Sequence, residues 1–272
     1  FNVVIYRLPK MLERDWLAQC NELIADTKNT EPANETASGI DGFNLASPPS
    51  TCPQCGHQIK PWENIPVFSY LFLRGKCSAC KTKISLRYPI IELATAVIAV
   101  VVVFHFGLNW SGLAVVAFSW FLLVLAMIDF DTQLLPDNLT YPLLWLGLLI
   151  NIPGTFTTLE QAVWGAVVGY LSLWSVYQLF KLVTGKEGMG YGDFKLLAAI
   201  GAWLGWQKVL LTILLSSFVG AAIGLLMILA LGRDKNIPIP FGPYLAIAGW
   251  IAMMWGDQIL SMYMGTLAPG SY

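Results

Sequence analysis

Apolar residues gather along the chain into seven long runs, near residues 88–106, 112–130, 138–152, 161–183, 193–206, 208–231 and 242–260. A straight membrane span needs about 20 predominantly apolar residues, so these runs predict transmembrane helices. Two of them, 138–152 and 193–206, fall short of that length, which predicts local thinning, re-entrance or burial among neighbouring helices. Seven spans are expected. The first 87 residues follow a different pattern. In "FNVVIYRLPK" a short apolar run ends at Arg7 and reads as the tail of an earlier span, so that a full-length protein would have eight. Residues 10–24 predict an amphipathic helix with Met11, Leu12, Trp16, Leu17 and Leu23 on roughly one side. Residues 25–51 are rich in Ala, Asn, Thr, Ser and Pro, too poor in apolar side chains to build a core, and predict a mobile linker.

Composition agrees with a membrane protein: 56% of the 272 residues are hydrophobic, 12% are charged, and the mean hydropathy is +0.60. Charge then sets orientation, because Lys and Arg accumulate on the cytoplasmic side of the bilayer. Ten of the sixteen basic residues lie in residues 1–87, and Lys181, Lys186, Lys195, Arg233 and Lys235 fall in loops on the same side. Only Lys208 falls opposite. The amino-terminal segment is therefore expected in the cytoplasm. The net charge of -1 and the lack of a basic stripe give no sign of nucleic-acid binding, and no signal peptide is visible. The expected organisation is a cytoplasmic segment, 1–87, followed by a transmembrane domain, 88–272.

Within the cytoplasmic segment, "CPQCGH" and "CSAC" place Cys52 and Cys55, then Cys77 and Cys80, as two CxxC knuckles twenty-one residues apart. Two such knuckles present four thiolates tetrahedrally, and the interval suits a short β-rich excursion between them. In a reducing compartment this spacing reads as a zinc-ribbon-like domain rather than as disulfides. Four Cys leave no open position for water, so the zinc is expected to be structural. Cys20 is left over.

Two acidic clusters stand at the ends of apolar runs. In "AMIDFDTQLLPDNLT", Asp129 closes one run, Asp131 follows, and Asp137 stands after Pro136 before the next. In "KEGMGYGDFK", glycines at 188, 190 and 192 lead to Asp193, which opens another. By the predicted topology both clusters face the cytoplasm and can meet. Two carboxyls sharing a partly desolvated site hold one proton between them, the arrangement that hydrolyses a peptide through an activated water. Simpler readings stand beside this one. Asp193 and Asp137 could each cap a helix, Asp131 could be a solvated loop residue, and the set could form a proton relay.

The motifs resemble a known family. "GMGYGDFK" is similar to the GxGD signature of polytopic aspartyl proteases, and "IDFDTQLLPDNLT" resembles the other aspartate motif of bacterial type IV prepilin peptidases, an Asp followed eight residues on by the Asp of a Pro-Asp pair. "NVVIYRLP", both CxxC knuckles, "RYPIIE" and "PFGPYLA" resemble the same family in the same order, so the likeness covers most of the chain outside residues 25–51 and the carboxyl end.

That resemblance implies a mostly α polytopic bundle in the bacterial inner membrane. It implies cleavage of the short basic leader of type IV prepilins and of type II secretion pseudopilins after a Gly, and N-methylation of the exposed residue with S-adenosylmethionine. Carried onto this sequence, it puts the catalytic aspartates at Asp129 and Asp193, with Asp137, Gly190 and Gly192 in support and a methylation-related position at Glu92. It associates Cys52, Cys55, Cys77 and Cys80 with the methylating part. No glycine-rich nucleotide loop is present, and the sequence assigns no residue to S-adenosylmethionine. Helix direction adds an expectation about roles: Asp193 opens its helix and should be the ionised base, while Asp129 ends its own and should hold the proton. The competing functions are a zinc-ribbon assembly scaffold and a proton-coupled transporter; a transporter would place carboxylates near the midplane rather than at span ends.

Overall fold

The computed structural model describes residues 1–28, 43–60, 63, 67–231 and 240–267. The chain divides into two compact units, Phe1–Val97 and Ile98–Tyr272. Among the described residues nine α-helices form and no strand longer than an isolated bridge.

In the first unit, helix α1 (Asn2–Lys28) runs unbroken through Pro9. The apolar start and the amphipathic stretch expected as separate elements are one helix, which also takes in the first four residues of the expected linker. Residues 29–42 of that linker lie outside the described residues. Its last part, from Phe43, is tied back to α1. Buried Arg7 donates to the carbonyls of Asn44, at 2.8 Å, and of Pro48, and its guanidinium lies over the Phe43 ring. A second correction concerns the interval between the Cys knuckles. It holds the short helix α2 (Phe68–Phe72), and pairing is limited to the bridges Thr51 to Gln58 and Lys76 to Lys83. Each bridge closes one knuckle hairpin, so the β content lies within the knuckles rather than between them. Helix α3 (Arg87–Phe106) follows, and Asn2 Nδ2 donates to the Tyr88 carbonyl and to Glu92 Oε1, at 3.2 and 3.3 Å, pinning the start of α1 against it.

The second unit holds α4 (Trp110–Thr132), α5 (Asp137–Ile150), α6 (Leu159–Thr184), α7 (Tyr191–Leu204), α8 (Trp206–Leu231) and α9 (Gly242–Leu267). Among the described residues five helices are long and apolar enough to cross a bilayer: α3, α4, α6, α8 and α9. The seven-span expectation is corrected here. Helices α5 and α7 have 14 residues each, a length of about 21 Å against a hydrocarbon core of about 30 Å. For α7 the outcome is burial among neighbours. It touches α5, α6, α8 and α9, and Phe194, Leu196, Leu197, Ala199, Ile200, Ala202 and Trp203 are fully buried. Beyond Lys195 this helix is apolar all round, which suits the middle of a bundle.

Small residues let the neighbours approach α7. A Cβ on Gly165 of α6 would collide with the Gly201 carbonyl, one on Gly201 would collide with the Gly165 carbonyl, and one on Gly169 would lie 2.7 Å from the Leu197 carbonyl. Close backbone approach is the usual route to helix association in lipid. At the far end of α7, buried Asn151 donates to the carbonyls of Ala202 and Trp203 at 3.0 and 3.1 Å, and its Oδ1 accepts from the Phe156 and Thr157 amides. From the same end of α7, Trp203 Nε1 donates at 2.8 Å to the Leu143 carbonyl, midway along α5. These bonds satisfy terminal carbonyls that lipid could not, and fix the register of α7 against α5.

Candidate active site and candidate metal centre

Helix α4 stops at Thr132 because Gln133 turns into the left-handed region at φ 56° and its amide bonds the Asp129 carbonyl at 2.9 Å. Asp129 thus stands in the last helical turn, buried. Its Oδ2 accepts from the amide of Gly242, the first residue of α9, at 2.9 Å. A Cβ at position 242 would lie 2.7 Å from that oxygen, so only glycine lets the α9 amide come so close. We expect Gly242→Ala to fold and to displace the Asp129 carboxyl. A shift of about 1 Å at a reacting group costs on the order of 10²-fold in turnover, and cleavage assays on the purified variant would show it; unaltered turnover would mean the contact is dispensable.

Asp193 sits in the first turn of α7, buried, with its amide on the Gly190 carbonyl at 3.3 Å. Gly190 is the cap residue and has no side chain to offer, and the Asp193 carboxyl reaches back to the Gly190 backbone at this helix start. Its Oδ1 is buried without a hydrogen-bond partner. The turn after α4 lies against the start of α7, where a Cβ on Gly192 would stand 2.7 Å from Leu135 Cβ, so the helix ends that carry the two carboxyls are neighbours. The end of α4 and the starts of α7 and α9 therefore bring together the two acidic clusters, whose Asp129 and Asp193 are 64 positions apart in the sequence. Asp131, by contrast, is exposed.

The glycines of this turn have separate reasons. A Cβ on Gly192 would lie 2.7 Å from Leu135 Cβ, so the turn after α4 rests directly on the start of α7, and one on Gly188 would lie 2.8 Å from the Phe180 ring. Gly190 has open space around it. Packing does not require glycine there.

Asp137 caps nothing: Pro136 holds the cap position of α5 without a side-chain bond. Instead both Asp137 oxygens accept from Lys195 Nζ, at 2.7 and 2.9 Å, and the ammonium lies 5.3 Å from the Tyr141 ring centre. This pair ties the α4 to α5 turn to the helix carrying Asp193. Sequence reasoning passed over Lys195, whose only signal was being a single charge in an apolar run. It also passed over Tyr177, Lys181 and Glu187. Lys181 Nζ reaches Glu187 Oε1 at 2.8 Å and Tyr177 Oη at 3.4 Å, and the buried Tyr177 ring packs on Tyr191 and Phe194. That network holds the loop before α7 against the last turns of α6.

The four expected cysteines come together. The Sγ atoms of Cys52, Cys55, Cys77 and Cys80 all lie within 4.8 Å of one another, with Cys52 and Cys80 3.8 Å apart. Tetrahedral thiolates about 2.3 Å from a zinc ion would stand about 3.8 Å apart. The cluster can hold a metal. The knuckles are alike: the Cys52 amide bonds the His57 carbonyl and the Cys77 amide the Thr82 carbonyl, at 2.9 and 2.8 Å, with Gly56 and Lys81 at left-handed φ of 69° and 61°. Hydrogen bonds from Thr82 bring the Cys80 thiol down to about 6, and backbone N–H groups of Gln54 and Cys55 lower that of Cys52. At Cys55 a backbone bond from His57 is outweighed by desolvation and the neighbouring sulfurs, which push it up to about 11, as expected of thiols crowded together, which do not all ionise unaided. All five cysteines are free thiols, and Cys20 lies apart, exposed on α1.

A polytopic helical protein with two carboxyls buried at neighbouring helix ends has the groups that a membrane aspartyl peptidase needs. Comparison with known proteins makes this specific. Residues 116–225 match the type IV leader peptidase family and residues 1–106 the bacterial peptidase A24 N-terminal domain. A protein of Stutzerimonas stutzeri named prepilin leader peptidase/N-methyltransferase is 59% identical over 263 residues, 97% of this chain and 88% of its own length. Proteins of the same name from Pseudomonas aeruginosa and Xanthomonas campestris are 57% and 46% identical, with this chain covered to 97% and theirs to 88% and 89%. The chain belongs to the type IV leader peptidase family, and it is a multi-pass membrane enzyme of that family. No solved structure matches.

Proposed function

We propose that this protein cleaves the leader of type IV prepilins and type II secretion pseudopilins after a Gly and N-methylates the residue exposed. The observation that carries the reading is the burial of both Asp129 and Asp193 where the end of α4 meets the starts of α7 and α9. In this mechanism the ionised carboxylate takes a proton from water, which attacks the scissile carbonyl. The other carboxyl donates its proton toward the carbonyl oxygen and then helps protonate the leaving amine. The roles expected from helix direction reverse. Asp129 accepts the Gly242 amide at the start of α9 and the Asp193 carboxyl meets the Gly190 backbone at the start of α7, so a helix start favours an anion at both. What separates them is the Asp193 Oδ1, buried without a partner, which suits a neutral carboxyl awaiting a carbonyl. Asp129 is then the base and Asp193 the proton donor. Open space at Gly190 leaves room for an extended substrate backbone beside Asp193.

The reading divides the chain into a cytoplasmic segment, 1–87, and a transmembrane peptidase domain, 88–272, in the inner membrane, with prepilins and the lipid bilayer as partners. The Cys tetrad would hold a structural zinc ion, and S-adenosylmethionine would supply the methyl group. Glu92, beside Asn2 at the start of α3, is the side chain offered for a methylation-related role. Scaffold and transporter are disfavoured, since neither accounts for Asp129 and Asp193 both being buried at helix ends, with Asp193 Oδ1 left without a partner.

A prepilin with Gly before its junction should be cut by the reconstituted protein, and one carrying a bulky residue there should not. Equal cutting of both would refute the stated specificity. For the ion pair, Lys195→Met should lower turnover by about tenfold with little change in melting temperature, because a partly exposed pair contributes only about 0.2–1 kcal/mol to stability while the geometry it sets acts directly on rate. Exchanging the two, Asp137→Lys with Lys195→Asp, should recover part of the loss. No recovery would indicate that pairing is not what matters.

A further inference from the structure

We propose that the Cys-containing module rests on the bilayer surface through α2 and the basic residues that follow it, with anionic lipid headgroups as the partner. None of the five residues of α2 is buried, and Phe68, Leu71 and Phe72 are 66, 66 and 88% exposed. Their i, i+3, i+4 spacing puts them on one face of the helix. These side chains lie outside every candidate span, so lipid tails around a transmembrane helix do not account for them.

Charge identifies the partner. Residues 52–86 hold five cationic side chains and one acidic one, more than the two negative charges that a divalent ion bound by four thiolates would leave. Arg74, Lys76, Lys81 and Lys83 are all exposed. Lys76 and Lys83 face each other across an antiparallel bridge. Like charges directly opposite in such a pair are destabilising, and an anionic surface beside them removes that cost. Aromatic side chains beside clustered Lys and Arg are the composition that settles at the headgroup level of an anionic leaflet.

Chain connectivity puts the module within reach. Helix α3, a candidate span, begins at Arg87. The four residues from Lys83 to Arg87 extend at most about 14 Å. The basic turn cannot leave the neighbourhood of the bilayer surface into which α3 enters.

Hydrogen–deuterium exchange on the full chain in nanodiscs tests this. Amides of residues 68–73 should exchange about tenfold more slowly in discs containing phosphatidylglycerol than in discs of phosphatidylcholine alone. The protection should disappear in Phe68→Ser/Leu71→Ser/Phe72→Ser, and separately in Arg74→Gln/Lys76→Gln/Lys83→Gln, both checked for unchanged metal content so that a broken Cys site is recognised. Equal protection in both lipids and in detergent would show that another part of this chain covers α2 and would overturn the proposal. Protection arising only when a prepilin is added would overturn it too, in favour of a substrate surface.

Discussion

Asp129→Asn and Asp193→Asn should each leave a prepilin uncut, while Asp131→Asn cuts it at near the normal rate. An asparagine keeps the shape of the carboxyl and removes its ability to take or give a proton. Loss of positioned acid–base catalysis alone costs about 10²–10⁴-fold. Both residues are buried at neighbouring helix ends, so they act as one unit, and the double variant should be no worse than either single one. The structure sharpens the choice between the two neighbouring aspartates. Asp129 is buried against the α9 amide at 2.9 Å, whereas Asp131 is exposed. Rates from purified, correctly folded variants decide the matter. An inactive Asp131→Asn beside an active Asp129→Asn would overturn the assignment.

Replacing Cys52 and Cys55 by Ser should abolish metal binding and remove most methylation, while cleavage stays within a few-fold of normal. Four thiolates close a structural site, and its loss unfolds the residues it joins. The tetrad belongs to the first compact unit and the aspartates to the second. Metal analysis of protein purified without chelator should find one zinc per chain, held by sulfurs already within 4.8 Å of one another. An absence of metal would remove the zinc assignment. Equal loss of cleavage and methylation in folded protein would show that the two units do not divide the activities.

What the sequence disclosed follows how local each signal is. The Cys tetrad was legible because each knuckle sets its own ligand pair within four residues. Five long spans were legible because length and hydropathy suffice. The two 14-residue helices α5 and α7 were not resolved by the same rule, since a short apolar run reads alike whether it is a thinned span or the buried centre of a bundle. Helix α1 was divided in two because its first apolar run ends at Arg7 and an amphipathic pattern takes over from residue 10; the structure carries one helix through both, Pro9 included. The expected β-rich interval missed α2, whose sequence "FSYLF" fits a strand as readily as a short helix. The aspartates were legible as chemistry, but the contacts that position them were not. Gly242 meets Asp129 across 113 positions and Lys195 meets Asp137 across 58, and no local pattern reports either. The proposed exchange of roles rests on the same kind of contact, since the α9 start that faces Asp129 is a long-range fact.

Intact-mass analysis of a prepilin after incubation with the reconstituted protein and S-adenosylmethionine tests the central claim most directly. The account predicts a product lacking its leader and heavier by about 14 Da than the bare mature chain, the mass of one methylene gained when a methyl group replaces a hydrogen on nitrogen. It also predicts no change of mass with the Asp129→Asn/Asp193→Asn protein. A prepilin that keeps its full mass with the unaltered, folded protein would contradict it.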